Sequence, residues 1–484
     1  MHPPYEARLQ ADVPFVAGTG IIGGLVPPIA SAPVRRLAGH ESVVGYFVQS
    51  DTWAHLVSRF LKERSRLLEI GCGCGDVARL LSYHPYLSRY VGLDHEEASL
   101  EWCRAAIQER APEKFQFNRL ALFGTEGVTE RPASPAEPDA SVDLVLARAI
   151  FGLLDGDEAR SLLGEVRRVL CPNGIFLVAI SVGACGDPAG AIHPDRFQEM
   201  AEDAGFRVYQ RMELLGEAVL FLLTPPAADR HVLTDEMLRL NHIAAGLQDV
   251  LAEVHADDFI YWFCIMHPHL SLERGISYYF QDGANSARKL ADLVAGLEDL
   301  DQNSVKLLEF ASGYGCVARH LKRRPQFELV SCDIHPQALE FLSRTLGVRT
   351  LASSHDPADF APPERFDVVF ALSFFSHMPR RTFGPWLRAL FRALHDPGYL
   401  IFTTLGLRAC KEFGIEPEDF PADGFWFEAR SEQHDLDGAE YGMTVVTPEF
   451  VRAEVERQTG APIVLYKHVG WWDNQDLWVV KRDS

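Results

Sequence analysis

Glu69-x-Gly71-x-Gly73-x-Gly75, within "LLEIGCGCGDVARLL" from Leu67 to Leu81, puts a carboxylate just ahead of a loop of very small residues. A second carboxylate, Asp94, follows 25 positions after Glu69. The set recurs as Glu309-x-Ala311-x-Gly313-x-Gly315 within "LLEFASGYGCVARHL", with Asp333 24 positions after Glu309. A small-residue loop between a parallel strand and a helix lets a ligand approach the backbone and the positive helix end. Gly71 and Gly73 would begin the dinucleotide fingerprint G-x-G-x-x-G, but Asp76 stands where its last glycine belongs. An acid closing the strand would repel a pyrophosphate and welcome a cationic amino group. Asp94 and Asp333, each closing the next strand, stand where a carboxylate accepts both hydroxyls of a ribose. A tight turn with no ligand, or a nicotinamide or flavin site, remains open on the loop alone.

Other residues bear on what the second set would do. His377, in "FDVVFALSFFSHMP" from Phe366 to Pro379, follows a strand at the sheet edge where open α/β proteins bind ligands. Imidazole suits removal of a hydroxyl proton at neutral pH, and a packing or helix-capping histidine is the alternative. Aligning "ARAIFGLL" of the first half with "ALSFFSHM" of the second pairs Arg148 with Leu372 and Gly152 with Ser376. It also puts Ala149 against Ser373 and Leu153 against His377, so catalysis is expected of the second half. Glu432, His434 and Asp435 lie in a polar insertion, "SEQHDLD", that forms a substrate wall or a plain solvated loop. Trp426, Phe427, Trp471 and Trp472 either stack on a sugar or, the preferred reading, fill core. In "MHPH", His267 and His269 at i and i+2 share no helix face, and no metal site is expected.

The elements that must carry these residues alternate. "SRLLEI", "RYVGLD", "FQFNRLA", "VDLVLAR" and "GIFLVAIS" read as strands, the fourth followed by the helix "DEARSLLGEVRRVL" and the last by the hairpin "FRVYQRME" and "AVLFLLT". "VKLLEF", "ELVSCD", "VRTLAS", "FDVVFALS" and "GYLIFTTL" repeat the order, closing on "PIVLYKHVG" and "DLWVVKR". Strands alternating with helices imply a parallel, doubly wound sheet covered on both faces. An aromatic pair and an amphipathic helix precede each loop, in "GYFVQSDTWAHLVSRFL" and "SYYFQDGANSARKLADLV". The chain therefore reads as one unit duplicated, 1–225 and 226–484, joined near "TPPAADRHV". "TDEMLRLNHIAAGLQDVLAEVH" predicts one long helix over 234–255 with Thr234 as its N-cap.

Composition narrows the partners. A net charge of −21 over 484 residues disfavours nucleic acid and anionic membrane surfaces. Nine scattered cysteines, with no CxxC pair, read as reduced thiols. The start lacks the basic and apolar regions of a signal peptide, and "GTGIIGGLVPPIA" is too short to span a bilayer. A cytoplasmic protein without membrane insertion is expected.

Acid, loop and second acid, found twice with a terminal hairpin, resemble the class I S-adenosylmethionine (SAM)-dependent methyltransferases. The resemblance implies two tandem Rossmann-like doubly wound sheets, each ending in an antiparallel hairpin. It implies SAM as cofactor, held by Glu69, Gly71, Gly73, Gly75 and Asp94 in one half and by Glu309, Ala311, Gly313, Gly315 and Asp333 in the other. "EIGCGCGDVARLL", "FDVVFALSFFSHMP" and "GFWFEARSEQHDLDGAEYGMTVVTPEFV" with "GWWDNQDLWVV" are similar to bacterial methyltransferases associated with polysaccharide assembly. That likeness implies O-methylation of a sugar or glycan hydroxyl with His377 as base. A small natural product as acceptor, and a SAM-binding scaffold without activity, are the alternatives.

Overall fold

The computed structural model describes residues 27–483 apart from 121–136, 149, 182–191, 215–217, 226–231, 268–269, 412, 417, 432 and 434. The expectations placed on Ala149, His269, Glu432, His434 and the junction at 226–231 lie outside the described residues. What is described falls into two compact units, 27–240 with 265–275, and 241–264 with 276–483.

In the first unit the strands are β1 (Ser65–Ile70), β2 (Leu87–Asp94), β3 (Phe115–Arg119), β4 (Val142–Arg148), β5 (Leu170–Ser181), β6 (Arg207–Leu214) and β7 (Ala218–Thr224). They lie in the order β3-β2-β1-β4-β5-β7-β6. β1 to β5 pair in parallel, and β7 runs antiparallel to both β5 and β6. The central strands are near-continuous apolar runs because both faces are covered. Helix Gly156–Val169 turns Ala159, Leu162, Leu163, Val166 and Val169 onto the sheet at helical spacing. Its start is set by a capping box between Asp155 and Glu158.

The second unit repeats the plan with β8 (Val305–Phe310), β9 (Phe327–Asp333), β10 (Arg349–Ala352), β11 (Phe366–Ala371) and β12 (Leu394–Leu405) in the order β10-β9-β8-β11-β12. After β13 (Phe425–Glu428) and β14 (Met443–Val446), the chain closes with β15 (Ile463–Trp471) and β16 (Gln475–Arg482), β16 antiparallel to β12. Alternate residues serve opposite faces: Leu308, Phe310 and Val369 join one core cluster, Leu307, Val368 and Phe370 the other. Among the described residues of the first unit no hairpin corresponds to β13–β14. Its two strands are four residues each, and β14 meets β12 through the single pair Leu405↔Val445. The described residues of the "SEQHDLD" stretch, Ser431, Gln433 and 435–437, lie in the loop that joins these two strands.

The single helix expected over 234–255 stops at Leu247. Thr234 does accept the Met237 N–H at 3.3 Å, as an N-cap should. The chain leaves the helix where Asp249 adopts φ +54°, and the carbonyls of Leu251 and Glu253 then accept from Arg319 at 2.9 and 3.0 Å instead of from a helix.

Candidate functional site

Both glycine loops form tight cradles at the carboxyl ends of β1 and β8. Gly71, Gly73 and Gly75 have φ of +80°, +50° and +68°, and Ala311, Gly313 and Gly315 have +57°, +53° and +84°. Left-handed backbone disfavours a Cβ by about 1–2 kcal/mol, a strain that Ala311 carries and glycine does not. The carboxylate closing the next strand reaches back to each cradle. Asp94 Oδ2 accepts the Gly73 N–H at 2.7 Å, and Asp333 Oδ2 accepts the Gly313 N–H at 2.7 Å. Each acid–loop–acid set is thus one cluster. The helices that follow the loops run Asp76–Leu81 and Ala318–Leu321.

The two clusters differ in what meets the first acid. Glu69, expected to face a cofactor's amino group, instead accepts from Arg148 Nε at 3.1 Å and Nη2 at 2.8 Å, and from the Tyr90 hydroxyl at 2.5 Å. Arg148 also donates to Asp76 at 2.7 and 3.1 Å, while His40 and the Ser50 hydroxyl stand 3.7 and 3.4 Å from the same carboxylate. Burial pushes Glu69 up to about 7 against the pull of Arg148. At Asp76 burial also pushes up, but Arg148 and His40 outweigh it and hold the carboxyl below its ordinary value. Ala38 covers the loop so closely that a Cβ on Gly73 would meet its methyl at 2.9 Å.

In the second unit the register Ile70↔Ala147 corresponds to Phe310↔Ala371, so Leu372 stands where the first unit has Arg148. Glu309 is buried and accepts from the Ser331 hydroxyl at 2.7 Å. Among the described residues no ion pair joins it to a cationic side chain. Burial, then the charge of Asp333, pushes its carboxyl up to about 8. A Cβ on Gly313 would meet nothing within 4 Å, so this loop is open where the first is covered.

A pair of arginines braces both cradles and escaped the reading of the sequence. Arg79 lies over Tyr46 and Phe47 at 5.9 and 5.8 Å, and Arg319 over Tyr279 and Phe280 at 5.5 and 5.2 Å. Both are buried, and cation–π contact in such surroundings is worth about 2 kcal/mol. The shared "VAR-L" and the shared aromatic pair were the available signal, had the two been connected.

His377 is buried, its ring stacked on Tyr441 at 4.4 Å, with Nδ1 2.9 Å from the Gly442 carbonyl oxygen. A carbonyl only accepts, so Nδ1 carries the proton and the lone pair of the neutral ring lies on Nε2. The hydroxyls of Ser373 and Ser376 are 2.9 Å apart, and Gln475 Nε2 donates to Ser373 at 2.8 Å. These serines therefore tie the end of β11 to β16. Trp471 is core, as expected, and Trp426 packs beside Leu405 and Val445. Trp472 sits in the β15–β16 turn at φ +49° and donates its indole N–H to Asp282 at 2.8 Å. Burial pushes Asp282 up to about 6. Among the described residues no group of three or more His, Cys, Asp or Glu is placed to hold a metal ion.

Residues 68–178 match one methyltransferase domain family, and residues 308–400 match a second. The uncharacterized methyltransferase YcgJ of Bacillus subtilis strain 168 is 30% identical over 113 residues, 23% of this chain and 39% of YcgJ. The match thus spans about two fifths of that relative's length. A SAM-dependent methyltransferase structure from Aquifex aeolicus aligns at 17% identity and TM-score 0.31 over 40% of this chain and 98% of that one. A TehB-like SAM-dependent methyltransferase from Corynebacterium glutamicum aligns at 19% identity and TM-score 0.29 over 36% and 87%.

Proposed function

Two methyltransferase domains with the class I fold stand in tandem in this chain, and from that premise we propose that the C-terminal one methylates a hydroxyl of a sugar or glycan with SAM as donor. Glu309 carries the choice of half. It is a buried carboxylate pushed up to about 8 that no described cation neutralises, and it adjoins an open loop. An ammonium group there would restore its charge, which fits the amino-acid end of SAM. Asp333, anchored on Gly313, would hold the ribose. SAM when bound supplies an electrophilic methyl on sulfur. The chain's part is to align the acceptor and remove its proton. His377 is assigned that proton, because the tautomer set by Gly442 puts the lone pair of the neutral ring on Nε2. The sugar or glycan acceptor rests on the likeness of the chain's last segments to polysaccharide-associated methyltransferases.

The first domain is read differently. Arg148 already occupies the place of a ligand's cation between Glu69 and Asp76, and Ala38 closes the loop. This favours a domain that keeps the fold with its acid neutralised from within. The eight described cysteines are unpaired, in keeping with a cytoplasmic setting, and no described helix is long and apolar enough to cross a membrane.

Incubation of the full chain with methyl-labelled SAM and a panel of glycans, beside Glu309→Gln and Glu69→Gln chains, tests the proposal. Label should reach a glycan in the wild type and in Glu69→Gln but not in Glu309→Gln. Label lost only in Glu69→Gln would reverse the halves, and label found only in small metabolites would overturn the acceptor class.

A further inference from the structure

Asp333 does more than reach its loop. Its Oδ1 accepts the His335 backbone N–H at 3.0 Å and lies 2.9 Å from His335 Nδ1. The other ring nitrogen, Nε2, stands 3.3 Å from Asp435 Oδ2 in the β13–β14 loop. One imidazole therefore lies between the ribose carboxylate and the β13–β14 loop. The two acids hold His335 protonated, raising it to about 10. In the first unit Asp94 has His95 at 3.5 Å and Glu96 as its next backbone donor.

The far side of the same loop is tied to the proposed base. Tyr441 stacks on the His377 ring, and the Gly442 N–H donates to the His377 carbonyl at 3.0 Å. Arg381 donates to the Ala439 carbonyl at 2.9 Å and pairs with Glu440. The loop is thus held at one end by a cation on the cofactor acid and at the other by the histidine that would take the acceptor's proton.

We propose that His335 is a positioning residue that couples the Asp333 site to the β13–β14 loop, so that binding of the cofactor product at Asp333 tightens the wall carrying Tyr441 against His377. The inference rests on the cofactor reading of Asp333 given above. A ligand engaging Asp333 fixes its carboxylate and with it the imidazole. Asp435 is half exposed, so its pairing with a fixed imidazole is worth more than with a mobile one. Coupling of this size is modest, and it acts on the order of binding rather than on the fold.

Hydrogen exchange of the peptide covering 430–442 in the full chain, with and without S-adenosylhomocysteine, tests the coupling. In the wild type the ligand should slow exchange there about three- to tenfold. In Asp435→Asn, which leaves Asp333 and His335 intact, the ligand should still bind, ligand-free exchange should change little, and the ligand-dependent slowing should vanish. Asp435→Glu should restore it. Equal slowing in wild type and Asp435→Asn would overturn the inference, as would a wild type that binds the ligand without any response in 430–442. If calorimetry finds no binding of S-adenosylhomocysteine, the cofactor reading itself falls and the coupling with it.

Discussion

Glu309→Gln should stabilise the ligand-free second unit at neutral pH while crippling its hold on SAM. The Glu309 carboxyl is pushed up to about 8 from an ordinary 4.5 because burial disfavours its charge. Below pH 4.5 it is protonated whether the chain is folded or not, and it contributes no pH dependence. Between 4.5 and 8 the unfolded chain gives up the proton while the folded one keeps it, so stability falls as pH rises, by about 1.4 kcal/mol per pH unit. At pH 7.5 the accumulated loss is on the order of 4 kcal/mol. Glutamine remains neutral and still accepts from Ser331, so it should recover most of that loss. For a unit of this size the unfolding temperature should rise by roughly 5–10 °C at pH 7.5 and hardly at all at pH 4.5. Scanning calorimetry of the full chain at both pH values measures it. Equal shifts at pH 4.5 and 7.5 would refute the argument. The ligand side carries the opposite sign. A cationic amino group favours ionised Glu309, so SAM affinity in the wild type should rise about tenfold per pH unit from 6 to 7.5, with a proton released on binding. Glu309→Gln should show a flat and weaker profile over the same range.

Leu372→Arg would place the first unit's cation against Glu309, and S-adenosylhomocysteine binding, measured by calorimetry, should fall at least about a hundredfold if Arg148 explains the closed first cluster. Wild-type stoichiometry in that experiment should be near one per chain, and a clean value of two would show that the first cluster binds despite Arg148. Arg148→Met leaves Glu69 and Asp76 buried without their partner and should cost about 3–5 kcal/mol of first-unit stability by denaturant titration. Asp333→Ala removes a charge-assisted contact worth roughly 1.5–3 kcal/mol, so cofactor affinity should drop about ten- to a hundredfold. His377→Ala should lower the methyl-transfer rate about 10²- to 10⁴-fold, and a full rate across pH 6 to 9 would make the histidine purely structural.

Both acid–loop–acid sets, the parallel sheets and the closing hairpins were legible along the chain, because each rests on local chemistry. Small residues permit left-handed backbone, apolar runs make strands buried on both faces, and a strand's last residue reaches the sheet edge wherever the strand lies. Even the contrast between Arg148 and Leu372 stood in the alignment of "ARAIFGLL" with "ALSFFSHM". What Arg148 does there did not, because its partner Glu69 is 79 positions away and only the adjacency of β1 and β4 brings them together. The long helix over 234–255 was misjudged for a similar reason: its pattern is helical, but its last carbonyls are claimed by the buried Arg319. The four-residue strands of β13 and β14 were too short to signal themselves, and the loop between them gains its meaning only from reaching His335 on one side and His377 on the other. Local pattern thus determined where the acids and small-residue loops stand, and tertiary packing decided which acid already has its cation, because a buried charge is settled by whatever side chain the fold brings within a few ångströms of it.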